Sequence, residues 1–268
     1  GKGTRLGLRD MPKPMVQIGG KPLLEHQIEL AKSYGITDIY ILSGHMSEAI
    51  AGYFGDGRAF GVNITHIVEK SPLGPAGAVK QLEGIMKDRF LIFYGDVIFD
   101  MDIKSFIEFD SLSPSVASLV VHPNDHPHDS DLLDADDRNS VINFYPKPHS
   151  TASFYRNLVN AAIYIFSPEI FQYIPGAVPS DFGKDIFPNL LKNGETIRAY
   201  KTAEYIKDIG TPGRLNRVTN DFIDGKIRRF SKKNKRPAIF IDRDGTLIKD
   251  IDLLCRVEDL DLFPYSAS

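Results

Sequence analysis

Between residues 21 and 96 the chain alternates helical and extended hydrophobic periods in a fixed rhythm, and that rhythm constrains the fold more than any single motif. PLLEHQIELAKSYG reads as a helix ending at Gly35, and DIYILSG as a buried strand. MSEAIAGYF is the next helix, VNITHIVE a strand, AGAVKQLEGIM a third helix and RFLIFYGD another strand. Strands joined through helices run parallel, so the pattern predicts a doubly wound, mostly parallel α/β sheet. Such sheets hold ligands beyond the carboxyl ends of their strands, where Gly44, Glu69 and Asp96 fall. After Asp110 the rhythm becomes strand-rich, in SVASLVVH, SVINFYPK and NLVNAAIYIF, then helical at PEIFQYI and KDIFPNLLKNG. This predicts a lid over the sheet edge. TPGRLNRVTNDFIDGKI reads as a closing helix and RRFSKKNKR as a basic linker, with a new strand, PAIFI, from Pro237. The expected division is a first domain over 1–226, a linker over 227–236 and the start of a second domain over 237–268.

The bulk numbers narrow the partners. A formal net charge of -3 over 268 residues leaves no basic excess for gripping nucleic acid or anionic membrane, so small molecules are favoured. Cys255 is the single cysteine, which excludes an internal disulfide and suits a reducing compartment. Apolar runs such as ASLVV and AAIYIF fall far short of the roughly 20 residues of a membrane-spanning helix. A cytoplasmic protein is the expectation.

The chain opens with GKGTRLG and follows with PKP at 12–14 and GGKPLLEH. Paired glycines let backbone N–H groups approach a polyphosphate, and Lys2, Arg5 and Lys13 offset its charge. A solvated basic loop would explain any one of these pieces, and the residue order does not fit the P-loop. In combination they resemble the signature of the sugar-phosphate nucleotidylyltransferases, whose fold is Rossmann-like with a sugar-binding lid. The resemblance implies a transfer from a nucleoside triphosphate to a sugar 1-phosphate, with Mg2+ as cofactor. Arg5 and Lys13 would then be catalytic, stabilising charge at the α-phosphorus, and Gly1, Lys2, Gly3 and Thr4 would line the nucleotide site.

The resemblance continues in order along the chain. SPLGPAGAV is similar to the family loop beside the base and ribose, implying roles for Glu69, Leu73, Gly74 and Gly77 in nucleotide binding. FYGDVIFD and EYIKDIGTPGRL match the two segments that carry metal carboxylates, here Asp96 and Asp208, and magnesium suits one or two carboxylates plus phosphate oxygens. YPKP and LVNAAIYIF imply sugar-phosphate contacts from Lys147 and Asn160. Two departures stand out: Ala161 is read as replacing the family's usual glycine, and Pro146 takes the place of an acidic residue that binds hexose hydroxyls. HPNDHPHDSD, at 122–131, has no regular ligand spacing and reads as a substrate-side or solvated loop rather than a metal site.

PAIFIDRDGTLIKD resembles the opening motif of the haloacid dehalogenase superfamily, which implies Asp242 as a phosphatase nucleophile and Asp244 as its acid and base. The text that follows is similar to the start of histidinol-phosphate and heptose-bisphosphate phosphatases. Later motifs of that superfamily are missing, so this segment alone is expected to be inactive. The family's first, central strand is likewise expected to be missing ahead of GKGTRL. The attached motif, Pro146 and the short spacing from GTRLG to PKP together point to D-glycero-D-manno-heptose 1-phosphate with GTP. Mannose 1-phosphate with GTP, or a hexose 1-phosphate with UTP or dTTP, are the enzymatic alternatives. A non-catalytic, nucleotide-sensing subunit is the alternative of another class, and a homo-oligomer remains open.

Overall fold

The computed structural model describes residues 6–7, 10–150, 153–237, 239–251, 254 and 256–266. Gly1, Lys2, Gly3, Thr4 and Arg5 lie outside the described residues. The chain divides into two compact units, Gly1–Asn234 and Lys235–Ser268.

In the first unit a short ladder, β1 (Gln17–Ile18) with β2 (Lys21–Pro22), leads into α1 (Leu23–Ser33). There follow β3 (Asp38–Ser43), α2 (Ser47–Phe54), β4 (Asn63–Val68) and α3 (Gly74–Lys80). Then come β5 (Phe90–Phe93), β6 (Val97–Asp100), α4 (Ile103–Ser111), β7 (Ala117–His122), β8 (Leu132–Ala135), β9 (Val141–Tyr145) and β10 (Val159–Phe166). The unit closes with α5 (Phe187–Lys192), β11 (Ile197–Lys201), β12 (Tyr205–Asp208), α6 (Pro212–Ile223) and α7 (Lys226–Arg229).

β3 and β4 pair in parallel, as the rhythm of residues 21–96 predicts. The main layer runs β11, β7, β10, with β5 on the far side of β10. β5, β7 and β11 share one direction and β10 opposes them. Along β7, Leu119 and Val121 join one core cluster while Val120 joins another. Along β10, Tyr164 and Phe166 face the first cluster, Ile163 and Ile165 the second. Alternate residues of one strand therefore feed two cores, which is why these strands read as unbroken apolar runs. Phe182 and Phe187 seal the first core, Phe106 and Met101 the second, all essentially unexposed.

Several sequence expectations change here. The segments read as a lid divide: β7 and β10 form the buried heart of the main layer, and β8 with β9 make a hairpin touching it at Val159. VIFD is a strand of its own, β6, antiparallel to β12. The closing helix breaks at Gly225, whose φ of 67° ends α6 and starts α7. Part of the segment read as linker is folded, since Ile227 packs with Val16, Ile18 and Val218. In the second unit PAIFI is not a strand among the described residues: Ile239 is 84% and Phe240 97% exposed. An apolar run becomes a strand only where a neighbour supplies hydrogen bonds and cover. Among the described residues no helix is long and apolar enough to cross a membrane.

Candidate active site

The β6–β12 ladder ends in the two carboxylates that the sequence singles out. Asp208 lies opposite Val97, and the Ile209 N–H donates to the Asp96 carbonyl at 3.0 Å, so Asp96 and Asp208 leave adjoining strands side by side. Gln27, buried on α1, ties the turn that carries Asp96 by donating to the carbonyls of Tyr94 (2.8 Å) and Val97 (2.6 Å). Pro14 packs on Gly95 so closely that a β-carbon there would lie 3.0 Å from the proline ring. That contact brings Lys13 to Asp96, and its Nζ donates to Oδ2 at 2.9 Å. Asp208 Oδ2 accepts from Gly210 N at 3.0 Å and from Arg214 Nη1 at 2.8 Å.

Both carboxylates open onto one cavity of about 250 Å³, whose lining also includes Lys13, Asp129, Lys147, Asn160 and Arg214. The structure thus brings Lys13, Asp96, Asp208, Lys147 and Asn160 together. Lys147 reaches the cavity from the end of the β8–β9 hairpin, with Nζ donating to the Asp129 carbonyl at 3.1 Å. Asn160 sits at a bulge in β10, donating to the Tyr164 hydroxyl at 3.0 Å and accepting from Ala162 N at 3.2 Å. The bulge corrects the reading of Ala161. Ala162, with φ of 58°, holds the left-handed conformation that a glycine would serve, whereas Ala161 is a core residue at 4% exposure.

Glu69, Leu73, Gly74 and Gly77 do not line this cavity. Their geometry answers a packing demand: Gly74 has φ of 70°, and a β-carbon there would meet the Ser180 carbonyl at 2.5 Å. One on Gly77 would meet Val178 O at 3.0 Å. Glu69 accepts from Leu73 N at 3.3 Å and so fixes the start of the loop.

The 122–131 loop is knit to itself, with Asn124 donating to Ser130 Oγ at 2.9 Å, and it presents Asn124, His126, Asp129 and Asp131 to the cavity. Among the described residues no group of three His, Cys, Asp or Glu side chains could hold a metal. His122 is pushed down to about 4, chiefly by burial and then by the charge of Lys207. Burial also lowers His126, whose Nε2 stands 3.6 Å from Asp208 Oδ1. Sequence reasoning missed Gln27 and Arg214, and it had His126 and Asp129 only as members of a loop read as substrate-side or solvated. Arg214 had a local signal, three residues after Thr211, whose hydroxyl caps α6 by accepting from Arg214 N at 3.3 Å. In the second unit Asp242 and Asp244 are exposed, and Arg243 donates to Asp244 at 2.8 and 2.9 Å.

A magnesium ion fits this donor set. Asp96 and Asp208 are two neighbouring carboxylates, each now neutralised by a cationic side chain, and magnesium takes one or two protein carboxylates and fills its shell with phosphate oxygens and water.

Fold and cavity define an α/β protein with a charged, polar ligand site at the end of paired strands. Residues 1–225 match the family model described as nucleotidyl transferase, and the chain belongs to that family. The UTP–glucose-1-phosphate uridylyltransferase of Synechocystis sp. is 30% identical over 210 residues, covering 72% of this chain and 54% of the relative. The mannose-1-phosphate guanylyltransferase of Mycobacterium tuberculosis is 28% identical over 229 residues, covering 84% and 63%. The chain spans less than two thirds of the length of each. Among solved structures, a Bacillus anthracis protein assigned as a glucose-1-phosphate thymidylyltransferase superposes with a TM-score of 0.72 at 27% identity, over 82% of this chain and 91% of that one. HddC from Yersinia pseudotuberculosis superposes with a TM-score of 0.68 at 27% identity, over 80% and 91%. The fold is the mixed α/β fold of these nucleotidyltransferases.

Proposed function

We propose that the protein transfers a nucleoside monophosphate from a nucleoside triphosphate to a sugar 1-phosphate. An oxygen of the sugar phosphate attacks the α-phosphorus, the bond between the α-phosphorus and its bridging oxygen breaks, and pyrophosphate leaves. The observation that carries this reading is the meeting of Lys13, Asp96 and Asp208, drawn from three distant segments, at one cavity. Asp96 and Asp208 would hold Mg2+, which supplies charge neutralisation on the phosphates. Lys13, moving from Asp96 to the α-phosphate, would stabilise the charge that grows there, and Arg5 is assigned the same task from the family motif. Lys147 and Asn160 orient the sugar phosphate, so that positioning and electrostatics supply the catalysis with no covalent enzyme intermediate. Glu69, Leu73, Gly74 and Gly77, outside the cavity lining, are assigned to the nucleotide side from the family motif alone.

The preferred pair is GTP with D-glycero-D-manno-heptose 1-phosphate. Guanine is supported by HddC, which is also solved with GMP-PN. The heptose is supported by Pro146, whose side chain offers no hydrogen bond where the family has an acidic residue, and by the polar 122–131 loop on the sugar side. Asp242 and Asp244 are assigned to a phosphatase function from the resemblance of their motif. A pyrophosphate-release screen of GTP, UTP, dTTP, CTP and ATP against heptose and mannose 1-phosphates tests the whole reading. Release with GTP and a kcat/KM for the heptose roughly tenfold or more above mannose is expected, the usual size of a hydrogen-bond mismatch in a closed site. Equal use of the two sugars would remove the heptose preference. Silence with every pair would remove the transferase reading.

A further inference from the structure

Arg214 is the strongest cation in the cavity that the reading above leaves without a task. It leaves the first turn of α6 and bridges two carboxylates: Nη1 donates to Asp208 Oδ2 and Nη2 to Asp129 Oδ2, each at 2.8 Å. Its side chain is 20% exposed, between the ladder end and the 122–131 loop, and it lines the same cavity as Lys147 and Asn160. The other cations there are also engaged. Lys13 is on Asp96, Lys207 donates to Asp125 at 2.8 Å, and Lys147 Nζ is on the Asp129 carbonyl. A site that accepts a sugar phosphate beside a triphosphate must free positive charge from such pairs.

We infer that Arg214 binds the phosphate of the sugar 1-phosphate, held in reserve by Asp208 until that carboxylate takes a divalent cation. The inference rests on the function proposed above. With a dication bound, the Asp208 carboxylate would offer less negative charge to the guanidinium, and the hydrogen bond from Nη1 would weaken. The bond from Nη2 to Asp129 persists and keeps the guanidinium at the cavity wall. Nη1 then turns to the phosphate, for which the planar fork of arginine is the best match among side chains. Metal and sugar phosphate therefore bind with positive coupling, and the coupling is reciprocal. No covalent bond is made or broken in this exchange; ion-pair and hydrogen-bond partners change.

Calorimetric titration of the chain with mannose 1-phosphate, with and without Mg2+, and with Mg2+ alone, tests this. In the unaltered protein Mg2+ should tighten mannose 1-phosphate roughly tenfold, an ordinary coupling for one exchanged charge-assisted hydrogen bond. Arg214→Gln should weaken the sugar phosphate by a similar factor in Mg2+ and leave less than about a twofold effect of the metal. The same variant should bind Mg2+ alone several-fold more tightly, because Asp208 has lost its competing cation. That gain reports the competition for Asp208, whereas loss of the metal's effect on mannose 1-phosphate is the readout that a merely structural arginine would not move. Arg214→Lys keeps the charge without the fork and should fall between the two, so it reports the same coupling if the glutamine variant melts early. Mg2+-dependent binding that survives in Arg214→Gln, or weaker Mg2+ binding in that variant, overturns the inference and leaves the transferase reading standing. No mannose 1-phosphate binding in any state, together with no pyrophosphate release from any pair, overturns both.

Discussion

Two acidic motifs of similar sequence specificity meet different fates in this molecule. At the end of the β6–β12 ladder, Asp96 and Asp208 are fixed by backbone pairing, by Gln27 beneath the turn, and by Lys13 and Arg214 on their side chains. In Lys235–Ser268, Asp242 and Asp244 follow an apolar run that has no strand partner among the described residues, and both are exposed. The difference lies in the scaffold. A carboxylate becomes part of a site when neighbouring elements hold it against the entropy of a free side chain and set its counter-charge.

The largest expected effect follows from that contrast. Asp96→Asn or Asp208→Asn should each lower pyrophosphate release at least ~100-fold, since each removes a carboxylate proposed to hold the metal that neutralises the reacting phosphates, whereas Asp242→Asn should leave it within about twofold. A large loss in Asp242→Asn would erase the distinction between the two regions. Next in size, Lys13→Ala should cost ~100-fold in kcat with a much smaller rise in the nucleotide KM, because its charge matters most as the transition state forms. A rise in KM alone would move Lys13 to ground-state binding.

A smaller effect tests the wall of the ladder. The folded pKa of His122, about 4, lies below its ordinary 6.5. The unfolded chain therefore binds more protons between those values, so the stability contribution is full above the unfolded pKa and is lost as pH falls through the folded one. By about pH 5 the loss is ~2 kcal/mol, and His122→Gln should flatten that part of the curve in urea melts. An unchanged acid limb would mean that other groups set it. Smallest of all, Ala162→Gly should stabilise by up to ~1 kcal/mol by relieving the left-handed conformation in β10, or come out neutral once glycine's added unfolded-state freedom is counted. A clear destabilisation would show that the Ala162 methyl packs more than its backbone strains.

Much of this architecture was legible in the chain. The alternation over 21–96 gave the parallel pair and its helices because period and punctuation are local properties. DVIFD and KDIGTP gave the two carboxylates because a short ladder end needs its glycine and proline nearby in sequence. What stayed hidden depends on distant neighbours. Arg214 meets a loop 85 residues away, and Gln27 supports a turn 67 to 70 residues away. Neither spacing leaves a period to read. PAIFI misled for the converse reason, since its pattern states what would be buried and not whether anything covers it. The glycine position assigned to Ala161 belongs to Ala162, two residues after Asn160 as in the family's own spacing, and the left-handed backbone at the β10 bulge falls there.

The central claim is that Asp96 and Asp208 act together on one magnesium ion. Calorimetric titration of Mg2+ in the presence of GTP, on the unaltered chain, the two Asp→Asn variants and the double variant, tests it most directly. Shared coordination predicts that either single change weakens Mg2+ binding nearly as much as both together, a non-additive pattern with most of the loss, at least ~100-fold, in the first substitution. Independent losses that simply add, or a single variant that still binds Mg2+ with native affinity, would contradict the account.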